Sequence, residues 1–379
     1  MPRTHSRKVE AEGEEIGVTL GPSPLIQGFA LDPWPVGLQG SKVLSLSRIA
    51  FPLVRTFGLG VLACLPLLGF ACSGESTAEP TPDATSTEDV EEPREAGADV
   101  AADVNKADVV STVPCASTVP ARVVAANLTS GNKQNYDPGH GIRILKGLAP
   151  MLVLLQEFNY KSSQPADLNE MTQTICGADC KYVRGNGDIP NGILTTLPIM
   201  ESGSWLDTEV GNRDFVWARI DLPGPNDLLV VSVHLLTSGG RSVEGANLAK
   251  LIETNMKPGE LVLLGGDFNS PNRNDGSVTP FSKLLNTAGP YPTGPGPGGN
   301  SDGTNMSRKD PLDWLLASTS LEKLETPTVM GAGRSFARGL VFDTRYYVPL
   351  SDAPGTLLDD SAAPSMQHMA VVRTFNLCN

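Results

Sequence analysis

Four apolar segments of this chain each end in a polar residue, and this pattern limits the folds open to the chain more than any other feature. The segments are Arg122–Asn127, Met151–Glu157, Leu228–His234 and Glu260–Asp267. Short runs that are apolar almost throughout are typical of strands buried on both faces. Such a strand carries its final polar side chain to the edge of the sheet, where the chain meets solvent. The sequence therefore predicts buried strands whose polar ends converge in one pocket.

The other apolar segments extend this prediction to a whole domain. Further strands are predicted at Gly192–Pro198, Phe215–Leu222, Leu312–Ser318 and Met369–Phe375, and helices at Gly141–Leu148 and Glu244–Met256. Many buried strands with few helices favour an α/β fold in which two packed mixed β-sheets are flanked by helices, a four-layer α/β sandwich. The Gly- and Pro-rich stretch 289–303 is predicted to be a long loop, and loops of that length often border active sites.

The polar strand ends supply mainly oxygen ligands. With Asn269, Asp313 and His368 added, the set contains two Asn, one Glu, two Asp and two His: Asn127, Asn269, Glu157, Asp267, Asp313, His234 and His368. Such a set suits Mg²⁺, Mn²⁺ or Ca²⁺ better than Zn²⁺, which favours Cys and His. It can hold a hard cation, deprotonate water and neutralise an oxyanion, as phosphoryl transfer to water requires.

These residues resemble, in order, the motifs of the endonuclease/exonuclease/phosphatase superfamily, which includes deoxyribonucleases, abasic-site endonucleases, bacterial sphingomyelinases and inositol-polyphosphate phosphatases. The resemblance covers roughly residues 120–375. It is carried by Asn127, Gln156-Glu157, Ser232-Val233-His234, Gly266-Asp267-Phe268-Asn269, Asp313 and His368. Any one of these positions alone is weak, because a strand-end Asn or Asp is often a turn residue. Six in the family's order form a specific signal.

The resemblance implies a role for each acidic and amide residue. Glu157 would be the main metal ligand, and Asn127 would bind or orient the metal or the substrate beside it. Asp267 would be the general base that activates or orients water. Asn269 would fix that base and contact the phosphate.

The resemblance also implies roles for the imidazoles. His234 and His368 would donate hydrogen bonds to the non-bridging oxygens of the phosphate. Asp313 would hold His368 in its working tautomer and raise its basicity.

Three more residues are candidate substrate contacts. Arg213 is a candidate phosphate fork, and a surface salt bridge is the alternative. Gln367 stands where family members often have Asp; it can donate a hydrogen bond to an oxygen, but it cannot ionise. His140, with Tyr136, lies in the loop after the first strand and would line the pocket, unless this Asp137-Pro138-Gly139 loop is only a turn.

The amino-terminal third is predicted to direct export. Residues 49–72 are interpreted as a signal peptide that ends in a lipoprotein-type Cys72, with Val61-Leu62-Ala63-Cys64 as an alternative box; a membrane anchor or a buried helix is the competing interpretation. Residues 1–48 precede this segment as an extension, and the true translation start is predicted to lie downstream of Met1. Residues 73–115 are predicted to be a disordered acidic linker. The hydrolase domain would then span 116–379, and the protein would be lipid-anchored at the cell envelope (periplasm or cell surface) or secreted.

Cysteine and charge add two constraints. Four Cys in an exported domain indicate two disulfides, and of three pairings we favour Cys176–Cys180 with Cys115–Cys378. The formal net charge of the chain is −13, and much of it comes from residues 73–114, which contain eleven acidic and two basic residues. The domain itself therefore has no global electrostatic attraction for nucleic acid, although a bound metal supplies positive charge locally.

Three functions remain open at this stage. The first is a phosphodiesterase, most plausibly a nuclease, whose backbone contacts would come from Arg308, Lys309, Arg334, Arg338 and Arg345 if they share one face. The second is a phosphomonoesterase or a phospholipid phosphodiesterase. The third is a catalytically silent surface binding protein on the same scaffold. The expected partners are a phosphate-ester substrate, a membrane reached only through the lipid anchor, and no second subunit.

Overall fold

The computed structural model describes residues 117–378. In chain order the described strands are β1 (Thr118–Ala126), β2 (Leu152–Leu155), β3 (Lys181–Arg184), β4 (Gly192–Thr195), β5 (Ile199–Trp205), β6 (Phe215–Ile220), β7 (Leu228–His234), β8 (Leu261–Asp267), β9 (Gly294–Gly296), β10 (Gly299–Ser301), β11 (Asp313–Ala317), β12 (Glu325–Thr326), β13 (Thr328–Met330), β14 (Arg334–Phe336), β15 (Leu340–Phe342) and β16 (Ala370–Cys378). The α-helices are α1 (His140–Leu148), α2 (Pro165–Cys176), α3 (Arg241–Asn255) and the single turn α4 (Thr319–Glu322).

Two large mixed sheets form the centre of the domain. The first has seven strands in the order β12-β16-β1-β2-β4-β3, with β15 also paired to β16. The second has five strands in the order β11-β8-β7-β6-β5. Only β1 with β2 and β7 with β8 are parallel among these pairs, so each sheet has two neighbouring strands that end on the same side.

Three apolar cores separate four layers. The core between the sheets takes Val123 and Ala125 from β1 together with Val230 of the second sheet. Val124, the neighbour of both on β1, points to the opposite core, which α1 and α2 cover. This alternation follows from the two-residue period of a strand, which sends successive side chains to opposite faces. The third core lies between the second sheet and α3. The predicted four-layer α/β sandwich is therefore confirmed.

Local sequence explains where the helices begin. Helices α1 and α3 each follow a glycine in the left-handed region, Gly139 with φ 81° and Gly240 with φ 71°. Helix α2 begins with Pro165, whose fixed φ and missing N–H suit a first helical turn. The predicted helices correspond to α1 and α3. The apolar patterns of α2, β3 and β5 are too weak to predict these elements, and the stretch 289–303, predicted to be a loop throughout, contains the short strand pair β9 and β10.

One of the two favoured disulfides is present. Cys176, the last residue of α2, is bonded to Cys180, and their Cα atoms are 5.6 Å apart. The other favoured pairing needs Cys115, which lies outside the described residues. Also outside them lie the extension 1–48, the signal and lipobox segment 49–72, the whole linker 73–115 and residue 116. Among residues 117–378, no helix has both the length and the apolar character needed to cross a bilayer.

Candidate active site

The strand ends meet where the two sheets adjoin. Asn127 follows β1 and Glu157 follows β2 in the first sheet, while His234 and Asp267 end β7 and β8 in the second. His234 and Asp267 are directly paired in the register of β7 with β8. All four side chains are at least nine-tenths buried. The convergence predicted from the apolar runs is thus present in the fold.

Asn127 connects the two sheets at this point. Its amide nitrogen Nδ2 donates to Oε1 of Glu157 at 3.2 Å and to Oδ2 of Asp267 at 3.1 Å. Both hydrogens of one amide are therefore used on two carboxylates that belong to different sheets. Asn127 orients the residue predicted to bind metal and the residue predicted to act as base.

Glu157 is held by more donors than the sequence indicated. Gln134 Nε2 donates to its Oε1 at 2.9 Å, and the hydroxyl of Thr129 donates to Oε2. The backbone of Glu157 is left-handed, with φ 54°, a conformation that non-glycine residues adopt mainly where surrounding structure imposes it. Burial raises the pKa of the Glu157 carboxyl, and the negative charge of Asp267 adds to this effect. A buried carboxylate of this kind is stabilised by a nearby cation.

Two histidines flank one oxygen of Asp267. Nε2 of His234 and Nε2 of His368 each lie 3.4 Å from Oδ2 of Asp267. Burial lowers the pKa of His234 to about 4, so this ring is neutral near pH 7. Burial also acts to lower the pKa of His368, but the charges of Asp313 and Asp267 outweigh it and raise that pKa to about 10. Asp267 thus lies between a neutral imidazole and a cationic one.

Asp313 orients the cationic ring. Its Oδ2 lies 2.9 Å from Nδ1 of His368 and accepts the hydroxyl hydrogen of Thr304 at 2.7 Å. Because the ring is cationic, both of its nitrogens carry a hydrogen, and Nδ1 donates its hydrogen to Oδ2 of Asp313. One ligand atom each of Asp267, Asp313 and His368 lie within 4.8 Å of one another, which is close enough for a cation. The hydrogen bond from Nδ1 to Asp313 instead gives the ring the role of the cation in this group.

Asn269 holds the other carboxylate oxygen of Asp267, Oδ1. Its backbone N–H donates to Oδ1 of Asp267 at 2.8 Å, and its side-chain Nδ2 donates to the carbonyl of Leu235 at 2.8 Å. The residue is left-handed, with φ 49°. The predicted fixing of Asp267 by Asn269 therefore has a geometric basis, and it comes from the main chain of Asn269.

Gly266 allows β8 to place Asp267 beside β7. Its φ is +138°, and a Cβ at this position would lie 2.0 Å from the carbonyl oxygen of Val233 on β7. Only glycine fits this combination of backbone angle and close contact. Gly266 therefore acts through the backbone that carries Asp267.

Arg213 lies beside the site and contacts it through the main chain. Its Nε donates to the carbonyl oxygen of His234, and its Nη1 donates to Oδ1 of Asn212 at 3.2 Å. Its exposed fraction is 7%, so the alternative of a surface salt bridge is wrong. Burial lowers the pKa of the guanidinium, while Glu244 and Asp267 act in the opposite direction. Nε of Arg213 already donates to the His234 carbonyl, and the use of the guanidinium as a phosphate fork stays a prediction.

The structure does not bring His140 and Gln367 into contact with Asp267. His140 lies at the start of α1, where its Nδ1 is 2.9 Å from the hydroxyl of Ser130. Gln367 is exposed, and its carbonyl accepts the N–H of Met306 at 2.8 Å. Their contact with substrate stays a prediction. Tyr136 is 1% exposed and donates to the carbonyl of Gln156 at 3.2 Å, and its place in the lining of the pocket stays a prediction.

The basic residues proposed to contact a nucleic-acid backbone are mostly engaged elsewhere. Arg308 is 3% exposed and donates to Asp343 and to the carbonyls of Gly303 and Ser301. Arg345 pairs with the same Asp343. Arg334 and Arg338 pair with Asp352 and Glu325. The expectation that these arginines form one phosphate-binding face is wrong for Arg308, because a buried and saturated guanidinium cannot reach a polyanion.

Sequence reasoning missed several residues that support the site, namely Thr129, Gln134 and Thr304, and gave Gln156 and Ser232 no separate role. Gln156 donates to the hydroxyl of Ser232 at 3.0 Å, and Ser232 donates to the carbonyl of Leu155 at 3.0 Å, which ties the two sheets together close to Glu157 and His234. The adjacency of Gln156 to Glu157 and of Ser232 to His234 could have indicated this. No sequence pattern identifies Thr304, because its contacts with the site form only in the tertiary structure.

The donor set fits a hard divalent cation. Glu157 and Asn127 provide buried oxygen atoms, and Oδ1 of Asp313 is buried without a hydrogen-bond partner among the described residues. Carboxylate and amide oxygens are the ligands preferred by Mg²⁺ and Ca²⁺.

Residues 105–352, more than half of the chain, match the model of the Endonuclease/Exonuclease/phosphatase family. The chain belongs to this family. Members of the endonuclease/exonuclease/phosphatase family are divalent-metal-dependent hydrolases that act on phosphate esters. The match ends before His368, so the place of that histidine comes from the structure alone.

Several solved structures are similar to this chain. An endonuclease/exonuclease/phosphatase from Beutenbergia cavernae is 16% identical, with a TM-score of 0.46 over 68% of this chain and 72% of that one. A family protein from Leptotrichia buccalis is 13% identical, with a TM-score of 0.46 over 67% of this chain and 99% of that one. TDP2 from Caenorhabditis elegans is 14% identical, with a TM-score of 0.43 over 68% of this chain and 74% of that one. No curated protein matches the sequence.

Proposed function

We propose that this protein is an exported phosphodiesterase, with nucleic acid as its first candidate substrate, that uses a metal-activated water. The observation that carries the proposal is the position of Oδ2 of Asp267, which lies 3.4 Å from both a neutral and a cationic imidazole. A carboxylate in this place can accept the proton of an attacking water, while a cation beside it can donate to an oxygen that gains charge.

Each residue has one task in this mechanism. Asp267 takes the proton from water, and the N–H of Asn269 holds its other oxygen so that Oδ2 faces the pocket. His368 donates from Nε2 to the phosphate or to the leaving oxygen. His234, being neutral, has Nε2 beside the base and donates to a non-bridging oxygen when that nitrogen carries its hydrogen.

Glu157 and Asn127 would hold the metal. A bound Mg²⁺, Mn²⁺ or Ca²⁺ supplies positive charge to the phosphate and lowers the pKa of a bound water. Asn127 would also keep Asp267 and Glu157 at a fixed separation, since its amide contacts both carboxylates. With Gln367 in place of an acid and exposed, proton donation to the leaving group falls to His368.

One observation favours a second substrate class. Four exposed apolar side chains lie in the segment between β15 and β16: Tyr346, Val348, Leu357 and Leu358. The same segment is tied to the site, because Arg345 donates to the carbonyl of Met306, which neighbours the Asn305–His368 pairing. Exposed apolar side chains in a segment tied to the site suit a lipid-borne phosphodiester, so phospholipid hydrolysis is the second candidate.

We also propose that the hydrolase domain spans 116–379 and acts outside the cytoplasm. The export segment 49–72 and the linker 73–115 support this proposal through their sequence alone. In this arrangement a monomeric enzyme would be anchored through acylated Cys72, or would be released as a secreted form.

A substrate screen tests the proposal. The purified protein would be incubated with plasmid DNA, RNA, phosphatidylcholine vesicles and p-nitrophenyl phosphate, each with Mg²⁺, Mn²⁺, Ca²⁺ or chelator. We expect metal-dependent cleavage of a diester, lost in Asp267→Asn and in His368→Ala and retained in Glu170→Gln, whose side chain is 54% exposed. Hydrolysis of the monoester alone would favour a phosphomonoesterase. No hydrolysis of any substrate would favour the silent binding protein.

A further inference from the structure

Thr304 lies next to Asp313 without being part of the predicted site. It is fully buried in the loop between β10 and β11, nine residues before Asp313. Its hydroxyl contacts Asp313 twice: Oγ1 lies 2.8 Å from the backbone nitrogen and 2.7 Å from Oδ2 of the side chain. One threonine therefore bonds both the main chain and the carboxylate of the same residue.

The direction of these two hydrogen bonds is fixed by chemistry. The backbone N–H of Asp313 can only donate, so Thr304 Oγ1 accepts it. A hydroxyl has one hydrogen, and an ionised carboxylate can only accept, so that hydrogen points to Oδ2. Oδ2 then receives Thr304 from one side and Nδ1–H of His368 from the other, while Oδ1 is buried with no hydrogen-bond partner in the described chain.

The same loop also holds the other partner of the pair. The carbonyl of Thr304 accepts the N–H of Met369 at 2.6 Å, and Asn305 is paired with His368 in an isolated β-bridge. Thr304 thus contacts Asp313 through its side chain and the residue after His368 through its main chain.

We infer that Thr304 is a positioning residue that orients the His368 ring by turning Oδ2 of Asp313 toward Nδ1–H. Without the hydroxyl of Thr304, the carboxylate of Asp313 is free to rotate, and Oδ2 no longer holds Nδ1–H of His368. Nε2 of the same ring is then no longer directed at Oδ2 of Asp267. The expected loss of catalytic rate rests on the proposed function, whereas the expected change in the orientation of the His368 ring does not.

The test compares two substitutions. Thr304→Val has nearly the same shape but no hydroxyl, and Thr304→Ser keeps the hydroxyl. The matched control is Thr195→Val, because Thr195 is also fully buried, accepts the N–H of Leu197 at 3.0 Å and donates to the carbonyl of Met151 at 3.1 Å, away from the site. If Thr304→Val does not fold, Thr304→Ala removes the hydroxyl with less steric demand.

Two measurements are made on each variant. The first is the ¹⁵N and ¹H spectrum of the His368 ring in metal-free protein without substrate, assigned by comparison with His368→Asn. The second is kcat and KM on whichever diester the wild type hydrolyses. We expect Thr304→Val to lose the hydrogen-bonded Nδ1–H signal and ~10- to 100-fold in kcat, the range typical of residues that orient catalytic ligands, with KM nearly unchanged. Thr304→Ser and Thr195→Val are expected to retain both.

Either of two results would overturn the inference. One is a Thr304→Val protein with an unaltered His368 signal. The other is a Thr304→Ser protein that loses as much kcat as Thr304→Val, since this would assign the loss to packing. If the wild type hydrolyses nothing, the proposed function fails, and the ring signal alone still decides the role of Thr304.

Discussion

Asp267 and Asp313 occupy directly opposite positions in the antiparallel pairing of β8 with β11. Both carboxylates are buried, and His368 bridges them, with Nε2 3.4 Å from Asp267 and Nδ1 2.9 Å from Asp313. Two neighbouring anions in a dry site favour a cation between them. This arrangement explains why His368 is charged although burial alone would make it neutral.

The first prediction concerns alkaline stability. His368 has a pKa raised from 6.5 to about 10, so the folded protein holds a proton that the unfolded chain releases. The stabilisation is complete below pH 6.5 and is lost as the pH rises through about 10. In Asp313→Asn we expect a lower pKa of His368 and a smaller loss of unfolding free energy across this window. Urea unfolding of both proteins at several pH values, with chelator present, measures the free energy of unfolding as a function of pH.

The control for this prediction is Asp179→Asn, because Asp179 is exposed and lies in the turn before β3. It should follow the wild-type pH dependence. An alkaline loss in Asp313→Asn as steep as that of the wild type would show that Asp313 does not hold the charge of His368.

The second prediction concerns acid stability and has the opposite sign. Burial lowers the pKa of His234 from 6.5 to about 4, so between these values the unfolded chain binds a proton that the folded protein does not. Stability from this group is present above pH 6.5 and is lost as the pH falls toward about 4. His234→Gln cannot titrate and should lose less unfolding free energy over this range. Equal acid slopes in variant and wild type would contradict the prediction.

The third prediction concerns metal binding through Glu157. A ligand that binds only the folded state raises its melting temperature. We expect Mg²⁺ or Mn²⁺ to raise the melting temperature of the wild type and to have little effect on Glu157→Gln, which keeps the hydrogen-bonding shape but not the charge. Thermal melts with increasing metal provide the measurement. A shift in Glu157→Gln equal to that in the exposed control Glu170→Gln would exclude Glu157 as the main ligand.

The fourth prediction concerns Gly266. A Cβ there would lie 2.0 Å from the carbonyl of Val233, and the φ of +138° is outside the range of other residues. Gly266→Ala should therefore lower the free energy of unfolding by more than ~2 kcal/mol, or prevent folding. Gly211→Ala is the control, since a Cβ at Gly211 meets no atom within 4 Å. Chemical denaturation of both variants compares them, and a cost at Gly266 as small as at Gly211 would contradict the prediction.

The sequence by itself determined the layers of the fold and the convergence of Asn127, Glu157, His234 and Asp267. The reason is that these features depend on local pattern: an apolar run of fixed length forms a buried strand, and its last residue must emerge at the edge of the sheet. The disulfide Cys176–Cys180 was predictable for the same reason, since four residues of separation confine the two thiols.

Only the tertiary structure decided how the site is charged and supported. His234 and His368 are the same residue type with similar burial, yet their pKa values move apart because Asp313 lies 2.9 Å from one ring only. Thr304 acquired its place through contacts with Asp313 and Met369, which are 9 and 65 residues away along the chain. The charged sequence around Arg308 predicts an exposed side chain. In the structure Arg308 is buried, because Asp343 and several backbone carbonyls accept its hydrogen bonds. Such contacts join segments remote in sequence, and no local pattern encodes them.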